Sequence, residues 1–289
     1  MAGVSDNRKW LIGVGVLAVF ATLAVGGSLA ENGRAQSEGV VLSVELKGGI
    51  DQGRRRELER SLEEAKKKRA RLVILRLDTP GGEIGTMEKM IRTMGAARMP
   101  VVVYVAPDGA RAGSAGVFIT LASDVAAMAP QTNIGSASPI LIGPQGPVEV
   151  SRTLRRKILN DTAAYVRALA ERHGRNADLA ERMVRRATNV TAGRARRERL
   201  VDMVAESEAA LLKRLDGFRI KGRKARVLRT AGLRIMPFDP SASPDDDADS
   251  ADGTVAWGLS LPGLIAVAMS AAVIAFLVAQ MLRRIPRRR

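Results

Sequence analysis

Cysteine is absent from the 289 residues and histidine occurs once. The first absence excludes a disulfide framework, a thiol nucleophile, a redox pair and every cysteine-based zinc site. The second excludes any metal centre that needs two imidazoles from one chain, and leaves His173 as the sole candidate base for a Ser-His-Asp triad. Aromatic residues are 3% of the chain, too few for the stacking platforms that hold nucleotide bases. Acidic residues are outnumbered as well, 30 Asp+Glu against 46 Lys+Arg, for a formal net charge of +16. Such an excess suits nucleic acid, an anionic membrane or an acidic partner. The basic residues are spread over helical segments and one terminal tail without a nucleic-acid-binding motif, which disfavours nucleic acid and favours a membrane.

Both ends of the chain support that reading. Arg8 and Lys9 precede residues 10–30, which carry no charge and end in Ser28-Leu29-Ala30. Residues 1–30 therefore read as a cleaved signal peptide or a retained N-terminal signal anchor, and either one exports the domain downstream of it. Residues 255–282 are again uncharged and exceed the roughly 20 residues that cross a bilayer, so a C-terminal transmembrane helix is predicted. The arginine-rich residues 283–289 form its cytoplasmic tail by the positive-inside rule, which leaves the central domain extracytoplasmic. Residues 239–254, DPSASPDDDADSADGT, have almost nothing to bury and read as an acidic flexible linker. The folded domain is then residues 38–238.

Within it, short β-branched runs alternate with helical patterns. Strands are predicted at 40–46, 71–77, 100–107 and 124–130, and helices after Asp51, after Gly82, after Gly113, over 151–173, over 177–187 and from Thr191. The near-continuous apolar character of RLVILRL is what a strand buried on both faces requires. Alternation of this kind specifies an α/β domain with a parallel sheet. Residues 139–150 read as a mobile loop rich in Pro and Gly, and 218–230 as a hairpin turning at Gly222. Neither glycine cluster has P-loop or dinucleotide-binding spacing.

Two segments carry possible chemistry. Gly113-Ser114-Ala115-Gly116 places a hydroxyl among small residues at a strand-to-helix junction, where helix N–H groups point at developing negative charge. Pro80-Gly81-Gly82 follows another strand, at the sheet end where α/β sites assemble. Close helix packing and a plain turn explain the same two patterns. A nucleophilic serine needs a base. His173, in the polar run ERHGRN before a glycine stop, reads as a solvated residue at a helix C-terminus. A lysine base must have its pKa lowered from about 10.4 to near 7, which burial against apolar walls can do. Lys157 stands among Leu154, Ile158 and Leu159, although a solvated helix lysine fits the local pattern too. Lys47, Lys66, Lys67, Lys68 and Lys89 sit in more charged contexts.

Four separated stretches, LRLDTPGG (75–82), PVVVYVAPDGARAGSAGVFI (100–119), AAMAPQTNIGSASPI (126–140) and KILNDTAAYVRALAERHGRN (157–176), resemble the NfeD family of membrane-bound serine proteases. The resemblance covers residues 38–240 and implies a Clp protease/crotonase-like spiral fold related to signal peptide peptidase A. It implies Ser114 as nucleophile and Lys157 as general base, an oxyanion hole from the backbone at Gly81, Gly82 and Ala115, and no metal or organic cofactor. It also implies cleavage of apolar peptide segments, a stomatin-like membrane partner, and self-association into a homodimer or larger assembly. The chain departs from the family in having Gly113 where alanine is usual. It also has one apolar run after the protease region, where full-length members carry several helices and a small β-barrel. Two rival readings are a catalytically silent membrane scaffold for a stomatin-like partner and a crotonase-like acyl-CoA enzyme.

Overall fold

A computed structural model describes residues 39–241 except 141, 144, 145, 222 and 223. The N-terminal and C-terminal apolar segments, the basic tail and nearly all of the acidic linker lie outside the described residues. Among the described residues no helix is long and apolar enough to cross a membrane.

The chain runs β1 (Val40–Lys47), α1 (Gln52–Lys67), β2 (Leu72–Asp78), α2 (Ile84–Ala96), β3 (Val101–Val105), β4 (Arg111–Ala112), α3 (Ala115–Ala122), β5 (Val125–Met128) and β6 (Asn133–Gly135). It continues through β7 (Ile142–Gly143), β8 (Gly146–Pro147), α4 (Arg152–Arg172), α5 (Ala177–Arg185), β9 (Asn189–Thr191), α6 (Ala192–Arg197), β10 (Met203–Val204), α7 (Glu208–Leu215), β11 (Arg219–Ile220), β12 (Arg226–Val227) and β13 (Arg234–Pro237). The main sheet has six strands in the order β10-β5-β3-β2-β1-β13, and every pairing is parallel. The predicted α/β class with a parallel sheet is thus correct.

Period-two alternation explains why the central strands are apolar throughout. Val73, Leu75 and Leu77 of β2, with Val101, Val103 and Val105 of β3, enter one buried cluster together with the apolar faces of α1 to α6. Leu72, Ile74, Val102 and Tyr104 point the other way, into a second cluster closed by α7 and the β11–β12 hairpin. Tyr104 places its hydroxyl on the Ala205 carbonyl at 2.7 Å, and burial pushes its pKa up to about 12, with Asp108 and Glu208 adding to the shift.

Where β2 ends, the chain is tied to two neighbours. Thr79 donates its N–H to the Arg111 carbonyl at 2.8 Å, and Gly113 donates to Thr79 at 2.9 Å. On the other side Ile50 donates to the Gly81 carbonyl at 2.8 Å, and Glu83 donates to Ile50 at 2.9 Å. The segment 79–83 is thereby sewn between the entry to α1 and the approach to α3. A second small sheet, β4-β6-β9, supports the same junction.

Candidate active site

Ser114 occupies the N-cap of α3 with φ 48° and ψ −113°. A non-glycine residue at positive φ costs on the order of 1–3 kcal/mol and persists only where its surroundings enforce it. The enforcement is visible. The Ser114 N–H donates to the Ser136 carbonyl at 2.7 Å, and Val117 donates to the Ser114 carbonyl at 3.0 Å. The hydroxyl caps nothing and makes no hydrogen bond among the described residues.

Glycines make this approach possible. Gly81 has φ +122°, and a Cβ built on it would lie 2.4 Å from Ser114 Cβ and 3.0 Å from Oγ. A Cβ on Gly113 would lie 2.9 Å from the Pro80 carbonyl oxygen, and one on Gly116 would lie 2.7 Å from Thr79 Cγ2. Gly113 is therefore fitted to its neighbours in this chain, and it is the alanine of the resemblance that would force a shift. The Gly81 N–H is already used, donating to Thr79 Oγ1 at 3.0 Å. The N–H groups of Gly82 and Ala115 have no partner among the described residues, and Gly82 is exposed. Of the three backbone positions singled out from the sequence, Gly82 and Ala115 thus keep free donors, while Gly81 contributes the space of its missing side chain.

Beside Ser114 opens a cleft of about 260 Å³. Its walls include Met87 of α2, Phe118 of α3, Ala137, and Ile158 and Tyr165 of α4. Phe118 and Tyr165 stack with ring centroids 5.8 Å apart. Burial raises the Tyr165 pKa, Glu88 raises it further, and Arg92 opposes. The volume is below the roughly 300–1,000 Å³ of small-molecule sites and suits a side chain better than a nucleotide-bearing thioester. None of Met87, Phe118 or Tyr165 was singled out from the sequence. Ile158, Thr162 and Tyr165 recur at helical spacing, which was the available signal.

Lys157 is exposed and makes no hydrogen bond to Ser114. Residues 151–157 are all exposed, because the first turns of α4 extend past the body of the domain. The solvated helix lysine that the local sequence also fitted is what the structure shows, despite the flanking apolar residues. Ile158 turns into the cleft, whereas Leu154 points outward and is itself exposed. Leu154, Ile84, Ile140 and Val148 make four of the five exposed large apolar residues among the described residues. Ile84 lines this cleft, and Ile140 and Val148 line the groove adjoining it between Pro139 and Ile158.

His173 corrects the sequence reading. It is half-buried, not solvated, and its Nδ1 has no partner among the described residues. Burial lowers its pKa to about 4, Arg175 adds to the shift, and Asp124 and Asp202 oppose it. Its neighbours Asp124 and Asp202 bind backbone N–H groups at the starts of β3 and β5, the sheet end opposite Ser114, so His173 is not the serine's base. A pH effect on stability results. The unfolded chain takes up this proton near pH 6.5 and the folded chain only near pH 4, so the domain loses stability as pH falls between those values. Melting temperatures measured from pH 7 to 4 should drop less steeply for His173→Gln than for wild type; parallel profiles would contradict this.

The sequence model of the family described as "NfeD1b, N-terminal domain" matches residues 40–219. Among curated relatives, the chain is similar to the membrane-bound protease PH1510 of Pyrococcus horikoshii, at 34% identity over 185 residues, which is 64% of this chain and 42% of that protein. It is also similar to the membrane protein NfeD1b of Bacillus subtilis, at 32% identity over 123 residues, which is 43% of this chain and 27% of that protein. The chain therefore spans less than half the length of either relative. Among solved structures, an alanine mutant of the 1510-N membrane-bound stomatin-specific protease in complex with a substrate peptide matches with a TM-score of 0.67 and 30% identity, covering 74% of this chain and 98% of that one. The 1510-N membrane protease specific for a stomatin homolog, from Pyrococcus horikoshii, matches with a TM-score of 0.61 and 28% identity, covering 74% of this chain and 98% of that one.

Proposed function

Because the chain belongs to the NfeD1b N-terminal domain family, we propose that it is a membrane-anchored extracytoplasmic serine endopeptidase with a Ser114–Lys157 dyad. The observation that carries this reading is the Ser114 hydroxyl, unbonded and held at φ 48° over an apolar cleft beside the free N–H groups of Gly82 and Ala115. In the proposed reaction neutral Lys157 accepts the Ser114 proton as Oγ attacks a peptide carbonyl. The Gly82 and Ala115 N–H groups stabilise the oxyanion. Lysine then protonates the leaving amine, and water hydrolyses the acyl-enzyme by the reverse transfers. The exposed Ile84, Ile140 and Val148 in the walls of the cleft and its adjoining groove support an apolar substrate segment laid across the cleft mouth. Such a segment would exclude water from Lys157 as it binds. A stomatin-like membrane protein as partner, and a homodimer or larger assembly, carry over from the family as part of the same proposal. So does the Clp-protease-like fold, whereas the C-terminal anchor at 255–282 rests on the uncharged length of that run.

One observation favours a second reading. Lys157 is exposed and makes no hydrogen bond to Ser114, which is what a catalytically silent scaffold would show. Cleavage of a peptide library rich in apolar segments, read by mass spectrometry from pH 6 to 10, separates the two. Wild type should cleave with a rate rising through one ionisation, and Ser114→Ala and Lys157→Ala should each lose at least about a thousandfold. Cleavage unchanged in Ser114→Ala would remove the protease assignment, and no cleavage by any of the three would favour the scaffold.

A further inference from the structure

One basic feature of the domain lies away from Ser114. A cavity of about 450 Å³ opens where α1 ends, β2 begins and the α2–β3 connection passes. Arg69, Arg71, Arg98 and Arg226 line it, all exposed and none with a carboxylate partner among the described residues. Lys66 and Arg229 join them, and no acidic residue contributes to the wall. The adjoining cavity, which shares Lys66, Arg98 and Met99, is different, since there Glu59 and Glu63 enter the wall. Guanidinium groups gathered without counter-charge repel one another, a cost that an anionic ligand removes.

The cavity is a built feature. Lys224 is nearly buried and donates to Met94 O at 3.0 Å, Met99 O at 3.2 Å and Asp124 Oδ2 at 2.9 Å. That anchor clamps the β11–β12 hairpin against the α2–β3 connection, which sets Arg226 in the same cavity as Arg98. Between the arginines stands Val227, the fifth exposed large apolar residue and the one remote from the Ser114 cleft. A soluble anion has no use for an exposed valine. A bilayer surface does, because apolar side chains enter the headgroup boundary while arginines pair with phosphates.

The chain's own path agrees. It enters the domain at Gly39, whose added Cβ would lie 2.8 Å from Arg71 Cγ, and the Arg71 N–H donates to the Val40 carbonyl at 2.8 Å. Residues 31–38 separate Gly39 from the uncharged run 10–30, and even fully extended they reach only about 30 Å. Any membrane holding that run lies within this distance of the cavity.

We propose that the cavity bounded by Arg69, Arg71, Arg98 and Arg226, with Val227 between them, docks the domain onto an anionic phospholipid surface. Ser114 lies against Gly81, which follows the far end of β2 about 20 Å from the cavity at strand spacing, so docking turns the Ser114 cleft away from that surface. The proposal is independent of proteolysis. It is testable on residues 39–241, which hold the six strands of the main sheet and both buried clusters found among the described residues.

The experiment is sedimentation with vesicles of phosphatidylcholine alone, or with about a third phosphatidylglycerol. Wild type should bind the anionic vesicles only. The R69Q/R71Q/R98Q/R226Q protein should bind them on the order of a hundredfold more weakly. The R152Q/R155Q/R156Q/R172Q protein, which loses equal charge from α4, should bind as wild type does. No binding by wild type, or equal losses in both variants, would overturn the proposal. So would displacement from the vesicles by millimolar inorganic phosphate at constant ionic strength, which would mark a site for a soluble anion.

Discussion

Gly81→Ala should reduce peptide hydrolysis by at least about a hundredfold, as a 1 Å displacement of a reacting group does. A methyl group at position 81 would sit 2.4 Å from Ser114 Cβ, closer than two carbons tolerate. Neither side can yield cheaply, because Ile50 holds the Gly81 carbonyl and Ser136 holds the Ser114 N–H. Alanine at φ +122° adds strain of its own, on the order of 1–3 kcal/mol. Gly109→Ala separates the two effects. Its φ is +87°, yet nothing lies within 4 Å of its added Cβ. Both variants should melt at lower temperature, and only Gly81→Ala should lose activity at a temperature where both are folded. Equal activity in the two, measured as kcat/KM, would mean that Ser114 is not positioned by this contact.

Arg175→Met should cost about 3–5 kcal/mol of stability, the range for breaking a buried ion pair. The Arg175 side chain is 2% exposed and donates to the Leu121 carbonyl at 2.7 Å, the Ser123 carbonyl at 3.0 Å and Asp202 Oδ2 at 2.6 Å. Its removal strands the last carbonyls of α3 and leaves the Asp202 carboxylate with the Ala126 N–H at 2.7 Å. In a domain of this size the loss corresponds to a melting temperature lower by roughly 6–20 °C. Arg175→Met with Asp202→Asn should recover part of it, because the carboxylate no longer lacks its counter-charge. The clamp has a functional side as well, since the helix it holds at one end carries Ser114 at the other. An Arg175→Met protein as stable as wild type would show that the carbonyls find water instead.

The parallel sheet was legible because its central strands are apolar on both faces, as in RLVILRL and PVVVYVAP. The elements that escaped were short or polar. β13 contains Arg234 and Pro237 and is recognisable only from its partner β1, at the sheet edge where proline is tolerated. β4, β6, β9 and β10 have two or three residues each, too few to show a period. α7 was missed although Ser207 caps it with Glu208 in its first turn. The site followed the same division. Ser114 among small residues after a strand could be read directly, whereas the close fit of Gly81 against Ser114 is a tertiary fact. The run ERHGRN looked solvated because its residues are polar, yet Arg175 and Asn176 point inward to backbone carbonyls. Local sequence reports polarity, and only the fold decides which polar groups are enclosed.

The central claim is that Ser114 is a nucleophile, and covalent capture tests it most directly. The protein would be mixed with the p-nitrophenyl ester of a short apolar acid at pH 9, with nitrophenol release followed by absorbance and the protein by intact mass and peptide mapping. A burst approaching one nitrophenol per chain, with the acyl group on Ser114, is the result the account predicts. The burst should vanish in Ser114→Ala. No burst under conditions where the protein is folded, or an acyl group carried elsewhere with Ser114 unmodified, would contradict it.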